Sequence, residues 1–265
     1  MTQKTKTDQS GSLALQRLAD LCHDMRTPLT IIFNAVQLME ERRGEHHERE
    51  LAQIRRNTQQ LLRIVGNIVD FAAIDAGRVQ AHMERVEGVA WLQEVGLACA
   101  PYARHKGVEF TVVTNLPEIW IWCDSVLLER CVLNLISNAV RFTEQGGLIC
   151  LSMERAGEEV HISVSDNGRG MSRKQIENLF QRFSAGCGGG QAREGSGLGL
   201  SLVKSFIERM GGRIEIESEV GEGTRATLSL PVMQKEPRPE ATVEALGWAA
   251  TGVAVELAEL MMPQE

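Results

Sequence analysis

Apolar positions near the start of the chain step by three and four without a break: Leu15, Leu18, Cys22, Met25, Leu29, Ile32, Val36 and Met39. This alternation is the seam of an amphipathic helix that packs on other helices. It predicts a helix over residues 13 to about 43, on the order of 45 Å long at 1.5 Å per residue. Pro28 falls inside it and removes one backbone hydrogen bond, so an interruption and local looseness are expected there. The run from Glu40 to Glu50, with Gly44, is charged and turn-like. The same step then returns in Leu51, Ile54, Thr58, Leu61, Val65, Ile68 and Ala72. Two helices with one apolar stripe each form an antiparallel hairpin that cannot bury its own core. Pairing two hairpins into a four-helix bundle solves that, so the pattern predicts a homodimer.

From about Val86 the texture turns to mixed α/β. Val108 to Thr114 and Trp120 to Trp122 read as strands, and Asp124 to Phe142 as a helix. Leu148 to Glu154 and Glu159 to Asp166 read as a strand pair joined at Ala156-Gly157. A second hairpin, Arg213 to Glu219 and Thr224 to Leu230, turns at Gly221-Glu222-Gly223. Helices and strands on separate faces make a two-layer α/β sandwich. The expected fold is therefore multidomain, α and α/β. Residues 1–12 form a polar segment, 13–82 the helical hairpin of a dimeric four-helix bundle, and 83–234 the sandwich. A Pro-containing linker and an amphipathic C-terminal helix fill 235–265.

Bulk composition narrows the partners. With 265 residues the prior is two domains. A net charge of -7, without a basic run, speaks against an electrostatic nucleic-acid binder. The six cysteines have no CxxC spacing and read as reduced thiols, which sets the expected location as cytoplasmic. Met1 to Ser12 has no leader pattern. No apolar run approaches the ~20 residues that span a bilayer, so direct membrane insertion is not expected.

Candidate chemistry clusters at a few places. His23 and Asp24 fall at heptad positions b and c, turned away from the apolar seam: a nucleophilic imidazole beside a carboxylate on an exposed helix face. Asn134 and Asn138 lie four residues apart on one face of a helix, and their amide oxygens suit a hydrated Mg²⁺ that also touches phosphates. Asp166-Asn-Gly168-Arg-Gly170 follows an apolar strand; its carboxylate can accept from an exocyclic amine. Gly186-Cys-Gly188-Gly-Gly190 and Gly195-Ser-Gly197-Leu198-Gly199 give a flexible loop that runs into a helix starting near Leu198, an arrangement that favours phosphate. It is neither a Walker loop nor a dinucleotide fingerprint. Gly221-Glu-Gly223-Thr224 is a short turn. Each of these, taken alone, has an ordinary structural reading as a polar helix face, a turn or a hairpin.

Their order does not. His23-Asp24-Met25-Arg26-Thr27-Pro28-Leu29 resembles the phosphoacceptor box of the sensor histidine kinases. The asparagine pair, Asp166-Asn-Gly168-Arg-Gly170, Phe180-Gln-Arg-Phe183, the Gly195 to Gly199 run and the Gly221 turn resemble that family's N, G1, F, G2 and G3 boxes in sequence. Asp70 to Gly77 is similar to its helix exit. The resemblance runs from about Leu13 to Val232 and implies a Bergerat-type ATP-binding sandwich behind the hairpin. It implies His23 as the nucleophile on ATP, Asp24 as the group that orients it, and Thr27 as the residue that supports dephosphorylation of a response regulator. Asn138 is the implied Mg²⁺ ligand, with Asn134 assisting. Arg141 takes the basic place beside the phosphates, and Phe142 flanks the adenine. Asp166 is implied to bind the adenine amine, with Gly168 and Gly170 shaping its pocket. Gly195, Gly197, Leu198 and Gly199 line the phosphates.

The implied partners are ATP, Mg²⁺, a response-regulator receiver domain and a second copy of the chain. Where the family commonly has Tyr-Arg after the F box, this chain has Ser184-Ala185; Arg182 or Arg193 is the candidate substitute, and the glycine-rich lid is expected to be loose without nucleotide. A superfamily ATPase is a rival reading, but such enzymes commonly carry a glutamate where Asn134 stands. A non-catalytic phosphotransfer scaffold is the other. His46, His47, His82, His105 and His161 lack metal-ligand spacing, and Trp91, Trp120 and Trp122 read as packing residues. Val243, Leu246, Ala250, Val253, Leu257 and Leu260 predict the C-terminal helix.

Overall fold

The structure is a computed structural model that describes residues 25–39, 47–180 and 199–232. His23, Asp24, the lid, Gly195, Gly197, Leu198 and the tail therefore lie outside the described residues.

Helix α1 covers 25–39 and passes through Pro28 as helix, which corrects the expected interruption. The Thr30 hydroxyl donates to Arg26 O at 2.9 Å beside the proline. Helix α2, Glu48–Asp75, follows. Along α1, Pro28 and Ala35 are buried, and Met25, Ile32 and Met39 are half-buried. The rest of the apolar surface stays open within one chain: Phe33 is 61% exposed, Leu62 59% and Val69 60%. These exposed side chains form an open apolar surface on the hairpin.

Helix α2 ends cleanly. Arg78 N–H returns to Ala73 O (2.9 Å) and Gly77 N–H to Ile74 O (3.0 Å), with Gly77 in the left-handed region at φ 65. The chain then enters strand β1 (Glu84–Glu87), helix α3 (Gly88–His105), strand β2 (Glu109–Thr114) and strand β3 (Trp120–Cys123). Helix α4 (Ser125–Phe142), strands β4 (Leu148–Ala156) and β5 (Glu159–Asp166), and helix α5 (Arg173–Asn178) come next. Helix α6 (Gly199–Arg209) and strands β6 (Arg213–Glu219) and β7 (Gly223–Pro231) complete the described chain.

Five strands form one sheet in the order β2-β4-β5-β7-β6, parallel only between β2 and β4; β1 and β3 make a separate antiparallel pair. Alternation decides the faces. Ile149, Leu151 and Met153 of β4 meet Val160, Ile162 and Val164 of β5 in the core, and Leu228 and Leu230 of β7 join them. The other face is small and polar, as in the Ser163–Thr227 hydroxyl pair at 3.0 Å. Helix α4 is the central element laid on the apolar face. Leu128, Leu133 and Ile136 have no exposure, each worth roughly 1.5–3 kcal/mol. Asp124 caps α4 by accepting from Leu127 N–H at 3.0 Å, and its second oxygen accepts from His82 N–H at 2.8 Å. Helix α3 starts under Glu87, whose carboxylate accepts from Val89, Ala90 and Ile119 N–H groups.

The hairpin rests on the sandwich through charged contacts. Asp70 of α2 pairs through both carboxylate oxygens with Arg130 of α4. Arg209, at the end of α6, donates to Ile74 O (3.3 Å) and Val79 O (3.0 Å) just where α2 finishes. Trp91 packs in the core as expected, whereas Trp122 is 42% exposed and departs from a packing role. Trp120 lies under the Arg85 guanidinium, 3.8 Å from ring centre to Cζ.

Candidate functional site

Helix α4 is buried along its whole central length, with two exceptions. From Cys131 to Val140 every residue is buried apart from Asn134 and Asn138. The 3.6-residue period brings these two amides to the same open face. Asn138 Nδ2 donates to Asn134 Oδ1 at 3.3 Å, which fixes the pair side by side. Two amides are thus retained in an open window on a stretch of helix that is otherwise buried.

Gly199 closes one end of that window. It is the first described residue of α6, and a Cβ there would lie 2.6 Å from Asn134 Nδ2, so this backbone approaches the asparagine as only a glycine can. Asn67 of α2, Arg130 and Phe206 border a small cavity on the hairpin side of Asn134 and Gly199.

The opposite end is built by the end of α4 and the loop after β5. Asp166 Oδ1 accepts from Gly168 N–H at 2.9 Å. The Asp166 carboxyl is pushed above the ordinary 3.8 by burial, against the opposing effect of backbone N–H groups of Gly168 and Thr224. Gly168 is a close-approach glycine: a Cβ would sit 2.4 Å from Phe142 O and 3.0 Å from Asp166 Oδ1. Phe142 O also accepts from Arg169 N–H at 3.3 Å, and the Arg169 guanidinium lies 4.5 Å from the centre of the Phe142 ring. Gly170 has φ +61, and a Cβ there would be 1.8 Å from Glu219 O, so no other residue fits. The site thus has one end with a flat ring, a carboxylate and side-chain-free backbone, and a polar end at the two amides beside Gly199.

Of the sequence-derived residues, the structure gathers Asn134, Asn138 and Gly199 at one end, and Phe142, Asp166 and Gly168 at the other. Arg141 sits half-buried between them on α4, and Gly170 holds the loop behind Asp166. Thr27 is exposed on α1. The contacts of Asp70 with Arg130, and the packing of Asn67 beside Asn134, were not read from sequence. They join residues far apart in the chain, and no local pattern announces them.

This sandwich, with an asparagine pair on its central helix and a glycine-bounded carboxylate opposite, defines a Bergerat-type ATP-binding domain joined to a helical hairpin. Two family models match in the same order. Residues 14–77 match the His Kinase A (phospho-acceptor) domain, and residues 123–234 match the histidine kinase-, DNA gyrase B- and HSP90-like ATPase domain. The chain belongs to the sensor histidine kinases.

Among its relatives is the autoinducer 2 sensor kinase/phosphatase LuxQ of Vibrio vulnificus, 30% identical over 247 residues, covering 90% of this chain and 29% of that protein. The sensor protein DivL of Caulobacter vibrioides is 34% identical over 241 residues, covering 88% of this chain and 31% of that protein. This chain therefore spans about a third of the length of these relatives. Full-length ShkA, solved with AMPPNP, is 28% identical with a TM-score of 0.61 over 82% of this chain and 46% of that one. The histidine kinase ThkA, solved in complex with the response regulator TrrA, shares the fold: TM-score 0.67 and 21% identity over 87% of this chain and 65% of that one. Among the described residues no helix is long and apolar enough to cross a membrane.

Proposed function

We propose that this chain is an ATP-dependent protein-histidine kinase in which His23 takes the γ-phosphoryl group of ATP and passes it to an aspartate of a response regulator. The observation that carries the reading is the pair of unburied amides on α4, set between Gly199 and the Asp166 loop. In the transfer, a P–N bond forms at an imidazole nitrogen as the bond to the ADP oxygen breaks, and ADP leaves. Asp24 accepts a hydrogen bond from the other ring nitrogen and holds the neutral, nucleophilic tautomer. The chain's task at the nucleotide is positioning and charge neutralisation. Asp166 accepts from the adenine amine, Phe142 flanks the base, Arg141 lies by the phosphates, and Gly195, Gly197, Leu198 and Gly199 bring backbone N–H groups to them.

The donor set fits a hard cation that the ligand shares. Asn138 supplies a neutral amide oxygen and Asn134 supports it, which suits Mg²⁺ more than a thiol- or imidazole-seeking metal. When bound, Mg²⁺ neutralises phosphate charge. The open stripe of Phe33, Leu62 and Val69 supports a homodimer. The exposed Thr27 supports regulator dephosphorylation, and the regulator complex of ThkA supports a receiver-domain partner. The hairpin is assigned to 13–82 and the ATP-binding unit to 83–234, and buried free thiols at Cys99, Cys123 and Cys131 accord with a cytoplasmic setting.

The test follows γ-phosphate label from ATP in the purified chain, with Mg²⁺ or with chelator, beside Asn138→Ala. Label that requires both Mg²⁺ and Asn138 supports the reading. Label indifferent to both contradicts it.

A further inference from the structure

The end of the site proposed for the adenine base, with its loop after β5, depends on the last turn of α4, and the last carbonyls of a helix have no partner within the helix. Here they have a cation. Lys106, the residue that follows α3, donates Nζ to Val140 O at 2.7 Å and to Arg141 O at 2.8 Å. A positive charge at this position also meets the negative end of the helix dipole. The neighbouring Thr143 hydroxyl donates to Ala139 O at 2.7 Å, so the final turn is held from two sides.

From that turn, contacts run directly to the adenine loop. Phe142 O, one residue past the two carbonyls that Lys106 holds, accepts Arg169 N–H at 3.3 Å and presses against Gly168. Gly168 in turn holds Asp166 Oδ1. The backbone around Lys106 is tied to the same region: Gly146 N–H reaches Gly107 O (2.8 Å) and Glu109 N–H reaches Gly147 O (2.9 Å). Leu148 N–H then donates to Asn167 Oδ1 at 2.7 Å, inside the adenine loop. The end of α3, the end of α4 and the loop after β5 are thus one hydrogen-bonded ring, and Lys106 is the charged group that pins the α4 end of it.

We propose that Lys106 is a positioning residue for adenine recognition: it holds the α4 terminus so that Phe142 and Gly168 set the Asp166 carboxylate against the base. The inference rests on the reading of Asp166 as the adenine acceptor. Lys106 acts through backbone, so its loss acts on base recognition and leaves phosphoryl transfer intact once nucleotide is bound. Lys106→Met keeps the aliphatic stem and removes the charge and the donors; Lys106→Arg restores both.

The experiment measures binding and autophosphorylation with ATP and with inosine triphosphate, which lacks the exocyclic amine, in wild type, Lys106→Met and Lys106→Arg. Glu87→Gln serves as a control: it weakens the cap of α3 and lowers stability away from the loop after β5. Lys106→Met is expected to raise KM for ATP roughly tenfold with kcat within about twofold. It is also expected to shrink the preference for ATP over inosine triphosphate, and Lys106→Arg to recover most of it. Glu87→Gln is expected to lower Tm and leave that preference unchanged. A wild-type preference retained in Lys106→Met overturns the inference, as does an equal loss in Glu87→Gln. Wild-type chain that binds neither nucleotide overturns the nucleotide reading, and the inference with it; this result is distinct from selective failure of the variant.

Discussion

Asp166 shows how one carboxylate is tuned by its surroundings. Burial raises its pKa, and two backbone N–H groups oppose the rise without cancelling it. An acid whose folded pKa is raised contributes stability that is present below its unfolded value of about 3.8 and lost as the pH rises through the folded value. Protonation removes its negative charge and makes it a weaker acceptor for the ligand amine. ATP affinity is therefore expected to fall on acidification from a pH above the ordinary aspartate range, and isothermal titration across pH 4 to 7, roughly, follows this. Asp166→Asn is expected to weaken ATP by about tenfold or more and to flatten that profile. Gly170 is as constrained, because a methyl group would meet Glu219 O at a left-handed φ. Gly170→Ala is expected to cost about 2 kcal/mol or more, read from the denaturant midpoint. Asp166 and its glycines drew notice in sequence through their order among the other motifs, since a carboxylate and glycines after an apolar strand read equally well as a plain turn. Lys106 was not, because its partners lie over thirty residues away and nothing local marks it.

At the scale of elements, strong alternation carried the reading. Strands β4 and β5 were found near their observed limits because their inward residues are large and their outward ones polar. Helix α4 was found because Asp124 caps it and its stripe is unbroken. Helix α3 was missed for a physical reason: its large buried residues, Val89, Trp91, Leu92 and Val95, are confined to its first half, the rest of its buried face is the small Gly96, Cys99 and Ala103, and Pro101 lies inside it. Gly96 is small because a Cβ there would meet Val112 Cγ2 at 2.3 Å. Strand β1 has one buried residue, Val86, in a charged stretch, so it gave no pattern. The expected break at Pro28 did not occur: the backbone is helical from Met25 to Met39, with Pro28 in the first described turn. The Asp70–Arg130 contact, also unreadable in sequence, fastens α2 to α4 one turn before Asn134. A double-mutant cycle of Asp70→Asn and Arg130→Gln on thermal stability is expected to give a coupling of about 1 kcal/mol. Additive effects would mean that the two helices are held together by other contacts.

For the whole molecule, the fold divides the work between a hairpin that lacks a complete core and a sandwich that has one. The stripe on α1 and α2 stays open in one chain, whereas the sandwich buries Leu92, Leu133, Ile162 and Leu228 completely. Leu62→Glu with Val69→Glu is therefore expected to convert a dimer to a monomer in sedimentation while ATP binding persists; a dimer unchanged by both substitutions would contradict this division. The two-domain plan was legible in sequence because the hydrophobic period itself changes, from helical steps before Val86 to strand alternation after it.

In the proposed reaction the hairpin's imidazole receives the phosphoryl group that the sandwich positions. The most direct measurement labels wild type and His23→Gln with ATP carrying radioactive γ-phosphate, under Mg²⁺, and tests the bond by acid and base. Acid-labile, base-stable label on wild type that is absent from His23→Gln is the expected result. Label that survives His23→Gln, or wild type that binds Mg·ATP and takes no label, would contradict the account.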